Sequence, residues 1–139
     1  MEISRRTDYG IRLILDLSGL PADGRSATQV IAQRQRVPSP FLAKIIAQLS
    51  LAGLVTTHRG AGGGVALARP ASQISLLHVI EALEGPVRLN RCLIQPLACP
   101  NDGHCPVHDV LARAQADLVA SLARTTFDKL VQASRDAGI

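Results

Sequence analysis

Apolar residues from Ile3 to Leu20 fall with near-helical spacing, placing Ile3, Ile11, Ile14, Leu15 and Leu17 along one side. The spacing predicts a first helix, with Ser4 or Thr7 as its cap. Pro21 to Arg25, PADGR, consists of turn formers. Ser26 then stands where an N-cap belongs, ahead of a short second helix expected to turn Val30 and Ile31 inward. After a break at Arg36-Val37-Pro38, Ser39 is placed to cap a third helix. Pro40 is its first residue, where the fixed φ of proline already suits a helix. This helix is predicted to reach about Ala52, with Leu42, Ile45, Ile46 and Leu49 as its buried stripe and Lys44, Gln48 and the first turn on the opposite side. Gly53 is the expected stop.

The periodicity then changes from helical to extended. Leu54 to His58 is rich in β-branched residues, RGAGGG at 59–64 supplies a turn, and Val65 to Ala68 is a second apolar run, so a β-hairpin is predicted. Two short helices, a tight turn and a basic-tipped hairpin are the parts of a winged helix-turn-helix in their usual order. Ser72 to Gly85 has the spacing of another helix, expected to pack under that unit, and is closed by Gly85-Pro86. Val87 to Cys105 shows no periodicity and contains Pro96, Pro100 and Gly103; a loop of that length in a small protein is usually functional. Beyond it Val107, Val110, Leu111, Ala114, Leu118 and Leu122 line one side of a long helix that calls for a partner helix. A short last helix is expected from Asp128. The fold class that follows is mainly α with a small β-hairpin wing. A winged helix-turn-helix spans 1–70, and 71–139 carries a linker helix, a loop at 87–105 and a long dimerisation helix.

Composition sharpens this picture in two ways. The only aromatic residues are Tyr9, Phe41 and Phe127, so the core of this 139-residue chain is built from Leu, Ile, Val and Ala, which favours packed helices over a sheet sandwich. The net charge of +4 is uneven: residues 1–69 hold nine Lys/Arg against four Asp/Glu, and residues 70–139 hold six against seven. A basic half joined to a nearly neutral half is expected of a polyanion-binding module with a second, different element attached. The most apolar run, Ile11 to Leu20, is interrupted by Arg12, Asp16 and Ser18, so a membrane span and secretion are not expected and the cytoplasm is the expected location.

Three groups of residues carry candidate chemistry. At the hairpin tip, Arg59 and Gly60 would approach a phosphate or a minor groove, since glycine lets backbone come close. A nucleotide-binding loop is disfavoured there, because no Lys-Ser/Thr follows the glycines and the next residues read as a strand. The third helix, as a recognition helix, would bring Ser39, Phe41, Ala43 and Lys44 to base edges or phosphates of double-stranded DNA. Finally, Cys92, Cys99 and Cys105 are spaced C-x6-C-x5-C, with His104 beside the last and His108 three residues beyond it. An odd number of cysteines in one loop reads as metal ligands or reactive thiols instead of disulfides. The spacing is looser than paired C-x2-C zinc knuckles, although three Cys and one His form a legal zinc set, and it suits an iron–sulfur cluster equally well. A thiol enzyme using Cys105 with His108 or His104 is the alternative of another class, for which no third orienting residue can be read.

Taken together, these residues resemble the IscR/NsrR/RirA family of bacterial iron–sulfur cluster-dependent regulators over nearly the whole chain. The resemblance rests on ISRRTDYGIRLILDL at the start, the run from Leu42 to Arg69 with its RGAGGG wing, ISLLHVIEALEG, the RC at 91–92 and the CPVH at 105–108. It implies a DNA-binding transcription regulator, with repression the expected sign, that is not an enzyme. It also implies a homodimer with antiparallel long helices, in which each cluster lies near the other subunit's DNA-binding unit. Cys92, Cys99 and Cys105 would hold the cluster. An IscR-like fourth ligand maps onto His108 and an NsrR-like one, from the partner's first helix, onto Asp8. Both are present, so the resemblance leaves [2Fe–2S] and [4Fe–4S] open. One departure is the gap of six between Cys92 and Cys99, where many relatives have five.

Overall fold

The first helix begins where Ser4, in extended conformation, accepts a hydrogen bond on its hydroxyl from the Thr7 amide at 3.2 Å. From there the computed structural model describes residues 2–94 and 104–138. In order they form α1 (Arg5–Ser18), α2 (Thr28–Gln35), α3 (Ser39–Leu51), β1 (Val55–His58), β2 (Gly64–Leu67), α4 (Leu76–Glu84), α5 (Pro106–Arg124) and α6 (Phe127–Asp136). Single 3-10 turns stand at Ala71–Gln73 and Arg91–Leu93. None of the helices among the described residues is long and apolar enough to cross a membrane.

Helices α1, α2, α3 and α4 converge on one apolar cluster. Leu13, Ile14 and Leu17 meet Ile31, the α3 stripe of Leu42, Ile45, Ile46 and Leu49, and Val79 and Leu83 from α4. The buried stripe of α3 is the one its spacing predicts. Two expectations for the first helices change. Ile3 precedes α1 and is exposed, because Ser4 takes the cap position. Val30 faces solvent at 42% exposure, whereas Ile31 is fully buried. With only eight residues, α2 contacts both α1 and α3 through Ile31 and Ala32, which leaves Val30 beyond the edge of the contact.

The caps move for local reasons. Ser26 does not cap α2; its backbone pairs with Val65 of the hairpin, and Ala27 stands at the cap position. Pro38 occupies the α3 cap, with Ser39 and Pro40 as the first two helical residues. Gly53, at φ +76°, lies just past the end of α3 as expected. α4 is shorter than predicted because Ala71–Gln73 forms its own turn, and Ser75 starts the helix with a reciprocal cap: its hydroxyl accepts from the His78 amide while its amide donates to His78 Nδ1 at 3.0 Å.

The last helix starts one residue earlier than expected, and Phe127, its first residue, is 0% exposed. The Phe127 amide donates to the Ile74 carbonyl at 3.0 Å and the Leu76 amide to the Thr125 carbonyl at 2.9 Å, so the chain entering α6 is stitched to the chain entering α4. α6 also packs on α1. A second clamp joins the N-terminus to the end of α4. The Ser4 amide donates to Glu84 Oε1 at 2.6 Å, and Arg6 Nη2 donates to the Leu83 carbonyl at 2.7 Å. The Ser4 amide, then the Ser4 hydroxyl, hold the Glu84 carboxyl below its ordinary pKa.

Candidate functional site

With Leu42, Ile45, Ile46 and Leu49 buried, the other side of α3 points outward, and Ser39, Phe41, Ala43 and Lys44 are all exposed on it. Phe41 is 56% exposed yet not loose. Its ring meets Tyr9 of α1 edge-on, with centroids 6.5 Å apart at 65°, and the Arg12 guanidinium sits 5.8 Å from the centre of the other ring. Arg12 is in turn paired with Asp8 at 2.9 Å, one turn back on α1. Lys44 makes no hydrogen bond or ion pair among the described residues, which leaves its charge available to an anion.

The hairpin is antiparallel, with Val55 opposite Leu67, Thr56 opposite Ala66, Thr57 opposite Val65 and His58 opposite Gly64. Arg59 and Gly60 are exposed at its tip. The glycine-rich stretch read as a close-approach surface has, in part, a structural cause. A Cβ on Gly63 would lie 2.8 Å from the Gly60 carbonyl oxygen, across the tight turn closed by the Gly63 amide. A Cβ on Gly64, at φ +132°, would lie 2.7 Å from the Ser26 carbonyl carbon and 3.0 Å from the Ala27 nitrogen. That crowding exists because Ser26 and Val65 exchange two backbone hydrogen bonds of 3.0 and 2.8 Å, fastening the tip-side start of β2 to the entrance of α2.

The same junction holds a polar knot that the sequence pattern did not single out. Arg34 of α2 donates to both oxygens of Asp16, at 3.1 and 2.7 Å, and to the Ser26 hydroxyl at 2.7 Å; Gln35 adds a third bond to Asp16. The Asp16 side chain is only 8% exposed while that of Arg34 is 42% exposed, so this bidentate pair, open to solvent on the arginine side, ties α1 to α2 and to the Ser26 segment that β2 rests on. Part of the positive charge of the first half is therefore already engaged within the fold, by Arg34 with Asp16 and by Arg12 with Asp8. The only hint in the sequence is that an acidic residue interrupts the apolar run of the first helix.

Cys92 lies in the 3-10 turn Arg91–Leu93, which packs against α5. Cys105 is the N-cap of that helix and Pro106 its first residue, as expected. Both thiols are free and half-buried. His108 is one turn in: its amide donates to the Cys105 carbonyl at 3.1 Å, and its Nδ1 is 3.4 Å from Asp109 Oδ1, too long to fix the ring. Cys99 lies outside the described residues. Asp8 stands apart from these thiols in its own chain, lining a shallow depression with Glu2, Ile3, Ser4 and Arg5. No group of three metal-binding side chains is assembled among the described residues. Cys92 and Cys105 are brought to neighbouring elements, and soft thiol donors with a nearby imidazole suit zinc or an iron–sulfur cluster by donor type.

Comparison with known proteins gives this arrangement its family. Residues 3–133 match the family Rrf2, described as "Iron-dependent Transcriptional regulator". The HTH-type transcriptional regulator slr0846 of Synechocystis is 38% identical over 84 residues, a stretch covering 60% of this chain and 57% of that protein. Protein aau3 of Rhizobium meliloti is 33% identical over 136 residues, covering 96% and 86%. Among solved structures, T. potens IscR superposes with a TM-score of 0.81 at 26% identity, covering 100% of this chain and 92% of that one. CymR (YrzC), the global cysteine regulator of B. subtilis, gives a TM-score of 0.78 at 25% identity, covering 95% and 97%. The helices and hairpin thus form the winged-helix fold of these regulators, and the relatives are regulators of transcription, not enzymes. The chain belongs to the Rrf2 family of DNA-binding transcriptional regulators.

Proposed function

We propose that this protein is a homodimeric, cytoplasmic repressor whose operator binding is set by an iron–sulfur cluster on Cys92, Cys99 and Cys105. The observation that supports this most is the pairing of two half-buried, unbridged cysteines, one at the cap of α5 and one in the turn packed on α5, in a chain of a family described as iron-dependent. When bound, such a group supplies a redox-active centre sensitive to oxidant, nitric oxide and iron supply. His108, or Asp8 from the partner subunit, completes the ligand set, as [2Fe–2S] or [4Fe–4S]. The protein's part is to supply these ligands and, through the ligand from α1 or α5, to pass the state of the cluster to α3 and the wing. Residues 1–70 bind DNA and 71–139 sense and dimerise.

Dimerisation is supported by α5 itself. Over 19 residues it buries none, and Val107, Val110 (63% exposed) and Leu118 lie open along it. A second copy of the same helix would cover this strip and place two α3 helices at half-sites about 34 Å apart. Ser39, Phe41, Ala43 and Lys44 then enter the major groove, and Arg59 with Gly60 reaches the neighbouring backbone or minor groove.

The test compares operator affinity of iron-loaded and iron-free protein, beside Cys92→Ala. Different affinities for the two wild-type forms, with the variant held at the iron-free value, are expected. Equal affinity in all three would remove the switch. A colourless protein whose fold collapses on chelation would replace it with structural zinc. His108→Ala and Asp8→Ala, read by the visible spectrum, identify the fourth ligand.

A further inference from the structure

The outward side of α3 has an unusual composition for a surface that reads bases. At 3.6 residues per turn, Pro40, Lys44, Ala47 and Leu51 run down its centre, opposite the buried stripe, with Ala43 beside them and Phe41 on the edge toward α1. Leu51 is 90% exposed. Its first two turns, Ser39 to Ile46, contain no carboxylate to accept from cytosine N4 and no amide to bind adenine in a bidentate manner. Gln48, the first amide, is in the third turn and half-buried. Lys44 is the sole cation of the helix. Apart from the Ser39 hydroxyl and Lys44, what this side offers a major groove is methyl and ring carbon: the Cβ atoms of Ala43 and Ala47, the Pro40 ring, and the Phe41 edge.

We infer that α3 selects its half-site chiefly by the C5-methyl groups of thymine, with Phe41 and Ala43 as the contacts and Lys44 as the only charged reader. The inference rests on α3 being the recognition helix and specifies what it recognises. Apolar side chains discriminate thymine because its methyl is the one hydrocarbon group exposed in the major groove. Phe41 is suited to this because its ring is held before DNA arrives. The edge-on contact with Tyr9, itself under the Arg12 guanidinium, braces the side chain on the flank of the helix, which lowers the rotamer freedom lost on binding. Alanine at 43 and 47 keeps the helix surface low, so that backbone and ring approach base edges closely.

The experiment uses the full-length protein and the duplex it selects from a random DNA library. Each thymine of the half-site is replaced by deoxyuridine, which removes the methyl and leaves pairing unchanged. Burial of one methyl corresponds to about a fourfold change in affinity. At one or more positions per half-site, wild-type protein is expected to lose about threefold to fivefold per methyl. Phe41→Ala, checked for native circular dichroism, is expected to bind thymine and uracil duplexes alike at the position Phe41 contacts while keeping the preference at the one Ala43 contacts, and Phe41→Leu keeps part of the preference at both. Wild-type affinity unchanged by uracil at every position overturns the inference, and so does a Phe41→Ala variant that retains the full thymine preference. These results leave the recognition-helix reading intact if a sequence has been selected. If no sequence is selected over bulk DNA, both readings fall.

Discussion

Replacing Gly64 by alanine tests how the wing is attached, because this residue carries two constraints at once. Its φ of +132° lies where a residue with a Cβ is strained, at a cost of about 1–3 kcal/mol. Its new Cβ would also press into the Ser26–Ala27 peptide, which is backbone and cannot turn aside as a flexible side chain would. Relief requires the β2 end to move off Ser26, giving up the two hydrogen bonds between Ser26 and Val65, each worth about 1 kcal/mol net. The cost is about 1–3 kcal/mol of backbone strain plus the clash if the wing stays put, and roughly 2 kcal/mol of lost hydrogen bonds if it swings away. Urea unfolding at fixed protein concentration measures the first outcome as a lower midpoint with an unchanged slope. Salt-dependent DNA binding measures the second, since on the proposed reading a displaced wing would take Arg59 off the DNA backbone. Some combination of the two losses is expected. A Gly64→Ala protein with wild-type stability and wild-type DNA affinity would refute the claim that the start of β2 is fixed on Ser26.

Further expectations follow from other contacts. Phe127→Ala empties a fully buried position that joins α6 to α1 and should cost about 3–5 kcal/mol in urea unfolding; a loss under about 1 kcal/mol would mean that α6 is not anchored there. Arg59→Ala should weaken operator binding and lower the salt slope by about one, whereas an unchanged slope would take Arg59 off the phosphates. The Glu84 carboxyl is held below its ordinary value by the Ser4 amide and hydroxyl, so its contribution to stability is present above that value and disappears as pH falls through the lowered pKa. The gap between thermal melts of Glu84→Gln and wild type should therefore be full at neutral pH, begin to close below about pH 4.5 and vanish below the lowered pKa, and no gap at neutral pH would show the Ser4–Glu84 clamp to be energetically silent.

Much of this architecture was readable because it depends on local spacing. The α3 stripe, Gly53 as its stop, the hairpin between β-branched runs, and Cys105-Pro106 opening the long helix all follow from residue order alone. What escaped depends on contacts between distant segments. Ser26 looks like a cap by type, but a strand forty residues away claims its backbone, and Ala27 takes the cap position instead. Val30 and Ile31 are equally apolar, and only the placement of α2 between α1 and α3 decides which is buried. Asp16, Arg34 and Tyr9 carry no motif; their roles beside Ser26 and against Phe41 come from helix packing. Gly63 and Gly64 were legible as a turn, but the crowding that requires glycine there is visible only with Ser26 in place.

The central claim is that Cys92, Cys99 and Cys105 hold an iron–sulfur cluster, and the most direct measurement is the visible absorption spectrum of protein purified without oxygen, alongside its iron, sulfide and zinc content. The account predicts a brown protein with iron and acid-labile sulfide in stoichiometric proportion, losing both colour and iron in Cys92→Ala. A colourless protein, carrying zinc or no metal when purified in this way, would contradict it and leave a winged-helix regulator governed by something other than a cluster.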